Sequence, residues 1–203
     1  MLRESFIGRN PSHFNINKVV EAFIVSETLL WSAWNFVTPI FAIFVINNIK
    51  GGNIQIAASA YSVSLISRVI FEIITGKYLN GKTDFNQLHL AMLGMAIMSV
   101  AYIGFAFSHS IPLLFFFYAL IGIGFGVASP AKYSLFTNHI DKEKTSTEWS
   151  LYDAINLLGI ASATALGGFI ASLYGFTLLF ILASIVNLLA IVPYLAMAKK
   201  GTS

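Results

Sequence analysis

The sequence predicts an all-α membrane protein built as a bundle of six transmembrane helices. Composition, long apolar runs and the distribution of Lys and Arg predict this fold class. Of 203 residues, 57% are hydrophobic and only 10% are charged, and the mean hydropathy is +0.76. Soluble domains carry roughly 25% charged residues. A soluble fold of this size could not cover its surface with so few charges, so a lipid bilayer is the expected solvent.

Six apolar runs follow one another, and each is long enough to cross about 30 Å of hydrocarbon. Numbered here as spans one to six, they cover residues 19–46, 54–79, 88–107, 111–133, 149–173 and 176–197. Barrel strands would be about 10 residues long and alternate in polarity. These runs are longer and apolar on all faces, so helices are predicted.

The loops and prolines between and within the runs agree with six helices. Turn-rich segments at 47–53 and 80–84 follow spans one and two. Pro39 should kink span one, and Pro112 opens span four, where its missing N–H costs nothing. The charged segment 141–144 separates spans four and five.

The membrane domain is expected at residues 19–198, between cytoplasmic tails at 1–18 and 199–203. The first tail lacks the apolar stretch and cleavage site of a secretory signal, so nothing there is expected to be removed. The chain contains no cysteine, which excludes disulfides and thiol chemistry.

Lys and Arg concentrate on one side of the predicted topology. With a cytoplasmic N-terminus, the outer side holds Lys50 alone and Arg68 lies within a span. The inner set is Arg3, Arg9, Lys18, Lys77, Lys82, Lys132, Lys142, Lys144, Lys199 and Lys200. The positive-inside rule therefore predicts cytoplasmic termini, in the plasma or inner membrane.

Four ionisable residues stand out at membrane depth, where each costs at least ~2.5–3.5 kcal/mol and normally faces protein or water. They are Glu27, Arg68, Glu72 and Asp153. Spans three and six carry no formal charge. Spans one, two and five are therefore expected to face protein or water, and spans three and six mostly lipid.

These charges have two interpretations. Arg68 and Glu72 are four residues apart and can form a structural ion pair; alternatively, Arg68 lies beside an aqueous path and attracts an anionic group or tunes a titrating acid. Glu27 is the candidate for that acid, because no basic residue lies one turn away on its own helix and burial favours a neutral carboxyl. Glu72 and Asp153 lie nearer the cytoplasmic ends, where gate or hinge contacts are expected.

Other side chains suggest cavity lining or packing. Trp34 and Asn35 lie near the Pro39 kink and either line a binding cavity or pack against neighbours. Small residues let helices approach closely. Helix packing is therefore expected at the glycines of spans four and five, namely Gly122, Gly124, Gly126, Gly167 and Gly168.

Enzymatic function is not expected. The sequence has no Gly-x-Ser-x-Gly elbow and no His-Glu-x-x-His metal site, and the glycines of span four lack the strand–turn–helix setting of a nucleotide loop. No metal, cofactor or nucleic-acid partner is expected; the expected partners are the bilayer and a small solute, with a coupling ion possible.

Three segments carry a resemblance to a known family. Residues 76–82 are similar to a loop signature of glycine, acid and basic residues, with Gly76 and Lys82 matching but Asn80 replacing aspartate and Gly81 replacing arginine. Residues 122–126 with Pro130 resemble a glycine-rich fourth helix, although Tyr118 replaces an arginine. Residues 141–168 are similar to the following loop and fifth helix, without its Gly-Pro pair. Together they resemble the N-terminal half of a major facilitator superfamily transporter.

The resemblance implies secondary transport of a small solute by alternating access between two six-helix halves. Helices one and four would line the cavity, helices two and five would form the seam, and helices three and six would be peripheral. Gly76, Asn80, Lys82 and Asp153 would then be loop or gating residues, and Tyr118 a pathway candidate. One half cannot enclose a path, so a second half is implied, either another copy in a parallel homodimer or a separately encoded chain. The alternative is a non-transporting assembly partner or scaffold.

Overall fold

The computed structural model describes residues 16–200, with side chains from 16 to 198. Within that range all regular structure is helical, and six helices are long and apolar enough to cross a membrane. The fold class predicted from the sequence is confirmed. The predictions for Arg3, Arg9 and residues 201–203 lie outside the described residues.

In residues 16–200, eight α-helices form the six spans. They are α1 (Lys18–Val37), α2 (Phe41–Asn48), α3 (Ile54–Leu79), α4 (Asp84–Ala106), α5 (Ile111–His139), α6 (Thr145–Tyr174), α7 (Phe176–Leu189) and α8 (Val192–Lys200). Span one is α1 and α2 joined by a 3₁₀ turn, and span six is α7 and α8. Helices α3 to α6 are spans two to five.

Prolines act in three ways. Pro39 lies in the 3₁₀ turn Thr38–Ile40, so the expected break in span one is present, and Pro112 lies in the first turn of α5. Span six is also broken, between Leu189 and Val192 and just before Pro193, which the sequence analysis did not predict. The Ser26 hydroxyl donates to the Ala190 carbonyl (2.7 Å) and satisfies this buried oxygen at the break.

The helices extend further than the apolar runs. Span three begins at Asp84 rather than residue 88, and span four continues to His139 rather than residue 133. Hydropathy stops at the first polar residues, whereas a helix continues through them because its backbone hydrogen bonds are internal.

Span four packs against spans two and three, while span one packs against spans five and six. Glycines mark the closest crossings. A Cβ on Gly122 would lie 2.1 Å from the Ser64 carbonyl oxygen, and one on Gly167 would lie 2.2 Å from that of Phe36. Gly124 and Gly126 are similarly tight against spans three and two. Gly168 has nothing within 4 Å, so the packing expected there is absent within this chain.

Spans three and six are packed inside the bundle. Asn187 of span six donates its amide to the Met95 carbonyl (2.7 Å) and to the Ser99 hydroxyl (2.8 Å) of span three. In the most apolar stretch of each, 50% and 39% of residues are buried, against 17% in spans two and five. The expectation that spans three and six face mostly lipid is therefore wrong for this chain, because a helix without charges can still pack through small and hydrogen-bonding residues.

The loops lie at opposite ends of the bundle, as alternating spans require. The Lys50 amide donates to the His109 carbonyl (3.1 Å), joining the loops after spans one and three. At the other end, His139 Nε2 lies 3.3 Å from the Asp84 carboxylate, and the Asn17 side chain donates to the His139 carbonyl (3.4 Å).

Candidate functional site

A buried ion pair joins spans one and four. Glu27 and Lys132 are 0% and 1% exposed, and the Lys132 ammonium donates to Glu27 Oε1. The other carboxylate oxygen accepts from Trp31 Nε1 at 3.1 Å. Both oxygens of Glu27 are therefore engaged, as a charge at this depth requires.

Lys132 corrects two steps of the sequence analysis. It was counted among cytoplasmic cations near the predicted end of span four, but α5 continues to His139 and places Lys132 inside the helix. Glu27 has no cation one turn away on its own helix, and its partner lies 105 residues away in the sequence. A lysine inside the predicted span four, one residue before its end, was the signal that could have revealed it.

Aromatic side chains of spans one, four and five pack against one another next to this ion pair. Phe23 stacks on Phe136 with ring centroids 4.3 Å apart and contacts Tyr152 at 5.2 Å. Trp149 packs edge-on against Phe136 at 4.7 Å. Phe23, Phe136 and Tyr152 belong to a separate apolar cluster with Val20 and Ile24, near the start of span one. On both helices the cluster lies one turn from the ion pair, since Phe23 precedes Glu27 and Phe136 follows Lys132 by four residues.

A cavity of about 60 Å³ lies between spans one, two and four. Arg68 contributes its only charge among the described lining residues, and its guanidinium carbon lies 5.1 Å from the centre of the Phe125 ring. Arg68 Nε lies 3.4 Å from Glu72 Oε2, with side chains 27% and 38% exposed. The predicted ion pair is therefore formed, and it lies at the surface of this chain rather than in its core.

Aromatic rings make up most of the remaining cavity wall. Trp34 packs edge-on against Phe125 at 5.4 Å and stacks on Tyr61 at 6.3 Å, while Trp31 contacts Phe125 at 5.8 Å. Leu65, Ser64 and Gly122 complete the lining. Trp34 and Arg68 were predicted from the sequence, whereas Tyr61 and Phe125 were not, since neither differs from the many aromatic residues of these spans.

Four pathway candidates do not line this cavity, namely Glu27 and Glu72, which form the ion pairs described above, and Asn35 and Tyr118. The Asn35 amide donates to the Trp31 carbonyl (2.9 Å) on its own helix. Tyr118 is buried in an aromatic cluster, with its ring 4.7 Å from that of Phe41 and 5.2 Å from that of Phe105. The Asn35 and Tyr118 side chains are used in packing or in local backbone hydrogen bonding.

Comparison with known proteins places this geometry in a family. A sequence model of the Major Facilitator Superfamily matches residues 23–202. The chain belongs to the major facilitator superfamily. It is therefore an integral membrane protein of a transporter family, and its relatives are transporters rather than enzymes.

Two curated relatives come from Bacillus subtilis (strain 168). The bacillibactin exporter is 31% identical over 112 residues, which cover 55% of this chain and 26% of that protein. The uncharacterized MFS-type transporter YttB is 25% identical over 155 residues, covering 76% and 38% respectively. The match therefore spans well under half of each relative.

A solved structure shares the fold. The POT family transporter PepTSo superimposes with a TM-score of 0.74 at 16% identity, covering 89% of this chain and 37% of that one. At this identity the likeness concerns the fold alone. The helices of this chain match just over a third of that transporter.

The loop after span two resembles the superfamily signature but has Gly81 where the signature has arginine. The local backbone conformation accounts for this glycine. Gly81 adopts φ +72°, a left-handed conformation that favours glycine over arginine. Lys82 Nζ lies 5.0 Å from the centre of the Tyr78 ring. Asn80 ends α3, and Gly76 has no neighbour within 4 Å of an added Cβ. Asp153 is exposed on span five.

Spans two and five expose their apolar surfaces. Ile66, Val69 and Ile73 of span two are more than half exposed, as are Leu157 and Leu158 of span five. Exposed apolar surface in a membrane protein faces lipid or another protein. In the described part of the chain, no group of three or more His, Cys, Asp or Glu residues could hold a metal ion.

Proposed function

We propose that this chain is a six-helix half of a secondary transporter that moves a small solute by alternating access. Family membership supports transport in general. The observation that carries the proposal is the cavity with half-exposed Arg68 beside the buried Glu27–Lys132 pair. Charges held at membrane depth are costly and are typical of solute or ion pathways.

A second six-helix unit would complete the pathway, either another copy of this chain or a separately encoded half. The exposed apolar surfaces of spans two and five support this, because they are the least buried spans. Such a pair would rock about a central site, and Glu27 would be the acid that couples an ion to solute movement. Gly76, Asn80, Lys82 and Asp153 would contribute to gating at the cytoplasmic side.

Solute movement should depend on Arg68. Bacillibactin, named for one relative, is the first solute to test in liposomes containing the protein reconstituted from mild detergent. Arg68→Ala should lower solute flux at least tenfold, because a hydrogen bond to a charged group contributes about 1.5–3 kcal/mol and 1.4 kcal/mol is a factor of ten. Radiolabelled or chromatographically quantified solute in the lumen reports the flux.

Lys142→Ala is the matched control, because it removes an exposed cation far from the cavity. It should leave flux unchanged.

Light scattering of the purified particle should give the mass of two six-helix units. Equal flux in wild type and Arg68→Ala would contradict the site assignment. If light scattering gives the mass of one six-helix unit and no solute of a broad panel enters the liposomes, the scaffold alternative is favoured.

Orientation can be tested cleanly because the chain has no cysteine. We propose cytoplasmic termini, with Lys50 outside and Lys142 inside, as the excess of cations on one side supports. In intact cells, a membrane-impermeant maleimide should label Lys50→Cys at once but label Lys142→Cys only after permeabilisation. Labelling of both variants in intact cells would overturn this topology.

A further inference from the structure

We propose that the cavity formed by Trp31, Trp34, Tyr61, Arg68 and Phe125 binds the planar aromatic part of an anionic solute. This inference rests on the proposed transport function, because it names the class of solute that the same site would carry. The cavity combines one cation with four aromatic rings, and each part selects a different feature of the solute.

The charge of the cavity favours an anion. Arg68 is the charged residue of the described lining, and its recorded ion pair to Glu72 uses Nε. A guanidinium carries five N–H donors in a planar fork that matches two oxygens of an anionic group. The side chain lines the cavity and is 27% exposed, so a ligand in the cavity can approach the guanidinium.

Neighbouring charges do not cancel this preference. Glu27 lies against Lys132 and also accepts the Trp31 N–H, so its charge is compensated within the protein. Neither Glu27 nor Lys132 lines the cavity. Glu72 offsets part of the Arg68 charge through the ion pair at Nε, but it does not line the cavity either. Within the lining a cationic solute would therefore meet the charge of Arg68 and no carboxylate.

The rings favour a flat partner. Trp34 and Phe125 meet edge to face, Trp34 and Tyr61 lie nearly parallel, and these are arrangements that aromatic side chains prefer. Trp31 and Trp34 are both partly exposed. A ring of the solute can extend the same stacking pattern, while a saturated group of similar size cannot.

The shape of the cavity fits partial enclosure of the solute. Its volume within this chain is about 60 Å³, and Tyr61 and Leu65 at its edge are 39% and 45% exposed. The cavity is therefore one wall of a site that continues beyond the surface of span two. The anionic group would lie at Arg68 and the ring along Trp34 and Tyr61.

Tryptophan fluorescence provides a direct test. The chain has three tryptophans, and Trp149 lies outside the cavity. The Trp149→Phe protein, in its purified assembly, therefore reports only Trp31 and Trp34. Benzenesulfonate is the probe, with cyclohexanesulfonate as the matched anion without a ring and benzenesulfonamide as the matched ring without a charge.

Benzenesulfonate should change the emission saturably and bind at least about tenfold more tightly than either matched compound. In the same background, Arg68→Gln should remove the preference for sulfonate over sulfonamide. Phe125→Leu should reduce the preference for the ring, while Lys142→Ala should alter neither. Circular dichroism confirms that each variant is folded.

Equal affinities for the three compounds, or no saturable change in the folded reporter protein, would overturn the inference. Binding is measured without any flux, so the two proposals fail separately. Flux of a solute without benzenesulfonate binding would overturn the aromatic-anion site and leave transport standing. Selective binding in a protein that moves no solute would support the site and contradict transport.

Discussion

Lys132→Met is expected to destabilise the folded bundle by about 3–5 kcal/mol, because it leaves the Glu27 carboxylate buried without its cation. Glu27→Gln should have a similar cost, since it leaves a buried ammonium. Both partners are almost completely buried, so neither charge can recover its hydration without opening the packing of spans one and four.

The double variant Glu27→Gln/Lys132→Met should recover most of the lost stability. Removing both charges of a buried pair is often neutral, whereas removing one is strongly unfavourable. Unfolding of the helices by SDS, followed by circular dichroism, gives the free energies of all four proteins. The difference between the double variant and the sum of the single variants isolates the coupling of the pair.

Glu72→Gln is the matched control, because it removes one charge of the half-exposed pair with Arg68. It should change the free energy of unfolding by less than about 1 kcal/mol, as exposed ion pairs do. Single variants as stable as wild type would show that the buried pair has no such role. A folded double variant that still couples ion and solute movement would remove Glu27 as the coupling acid.

Gly167→Ala is expected to destabilise the protein by about 1–3 kcal/mol, the usual cost of overpacking. Its added Cβ would lie 2.2 Å from the Phe36 carbonyl oxygen, a backbone atom of span one that cannot rotate away. Spans one and five would have to separate along their crossing.

Gly168→Ala is the matched control one position later on the same helix, where nothing lies within 4 Å of an added Cβ. It should be neutral or stabilise the helix by up to about 1 kcal/mol, because alanine favours a helix interior over glycine. Thermal unfolding of both variants in the same detergent tests the contrast. Equal losses of thermal stability in the two variants would show that the close helix crossing at Gly167 does not determine the cost of the substitution.

The number of spans and their order could be predicted from the sequence, because crossing a bilayer is a property of each apolar run of about 20 residues. The Arg68–Glu72 ion pair could also be predicted from the sequence, since residues four apart share a helix face. The break at Pro39 follows from the missing proline N–H.

Contacts between helices were much less predictable. Each span is apolar on nearly all faces, so hydropathy contains little information about how it is rotated towards its neighbours. Spans three and six, without formal charges, were for that reason expected to face lipid, although Asn187 and Ser99 join them inside the bundle. The aromatic wall formed by Tyr61 and Phe125 was hidden among many similar rings.

The sequence alone thus determined a polytopic helical membrane protein with a few costly ions inside its spans, because transfer of each segment into lipid depends on its own composition. Only the tertiary structure decided which ions of different spans meet. Glu27 and Lys132 are brought together by the rotation and crossing of spans one and four, and that arrangement is set by close packing across the whole bundle.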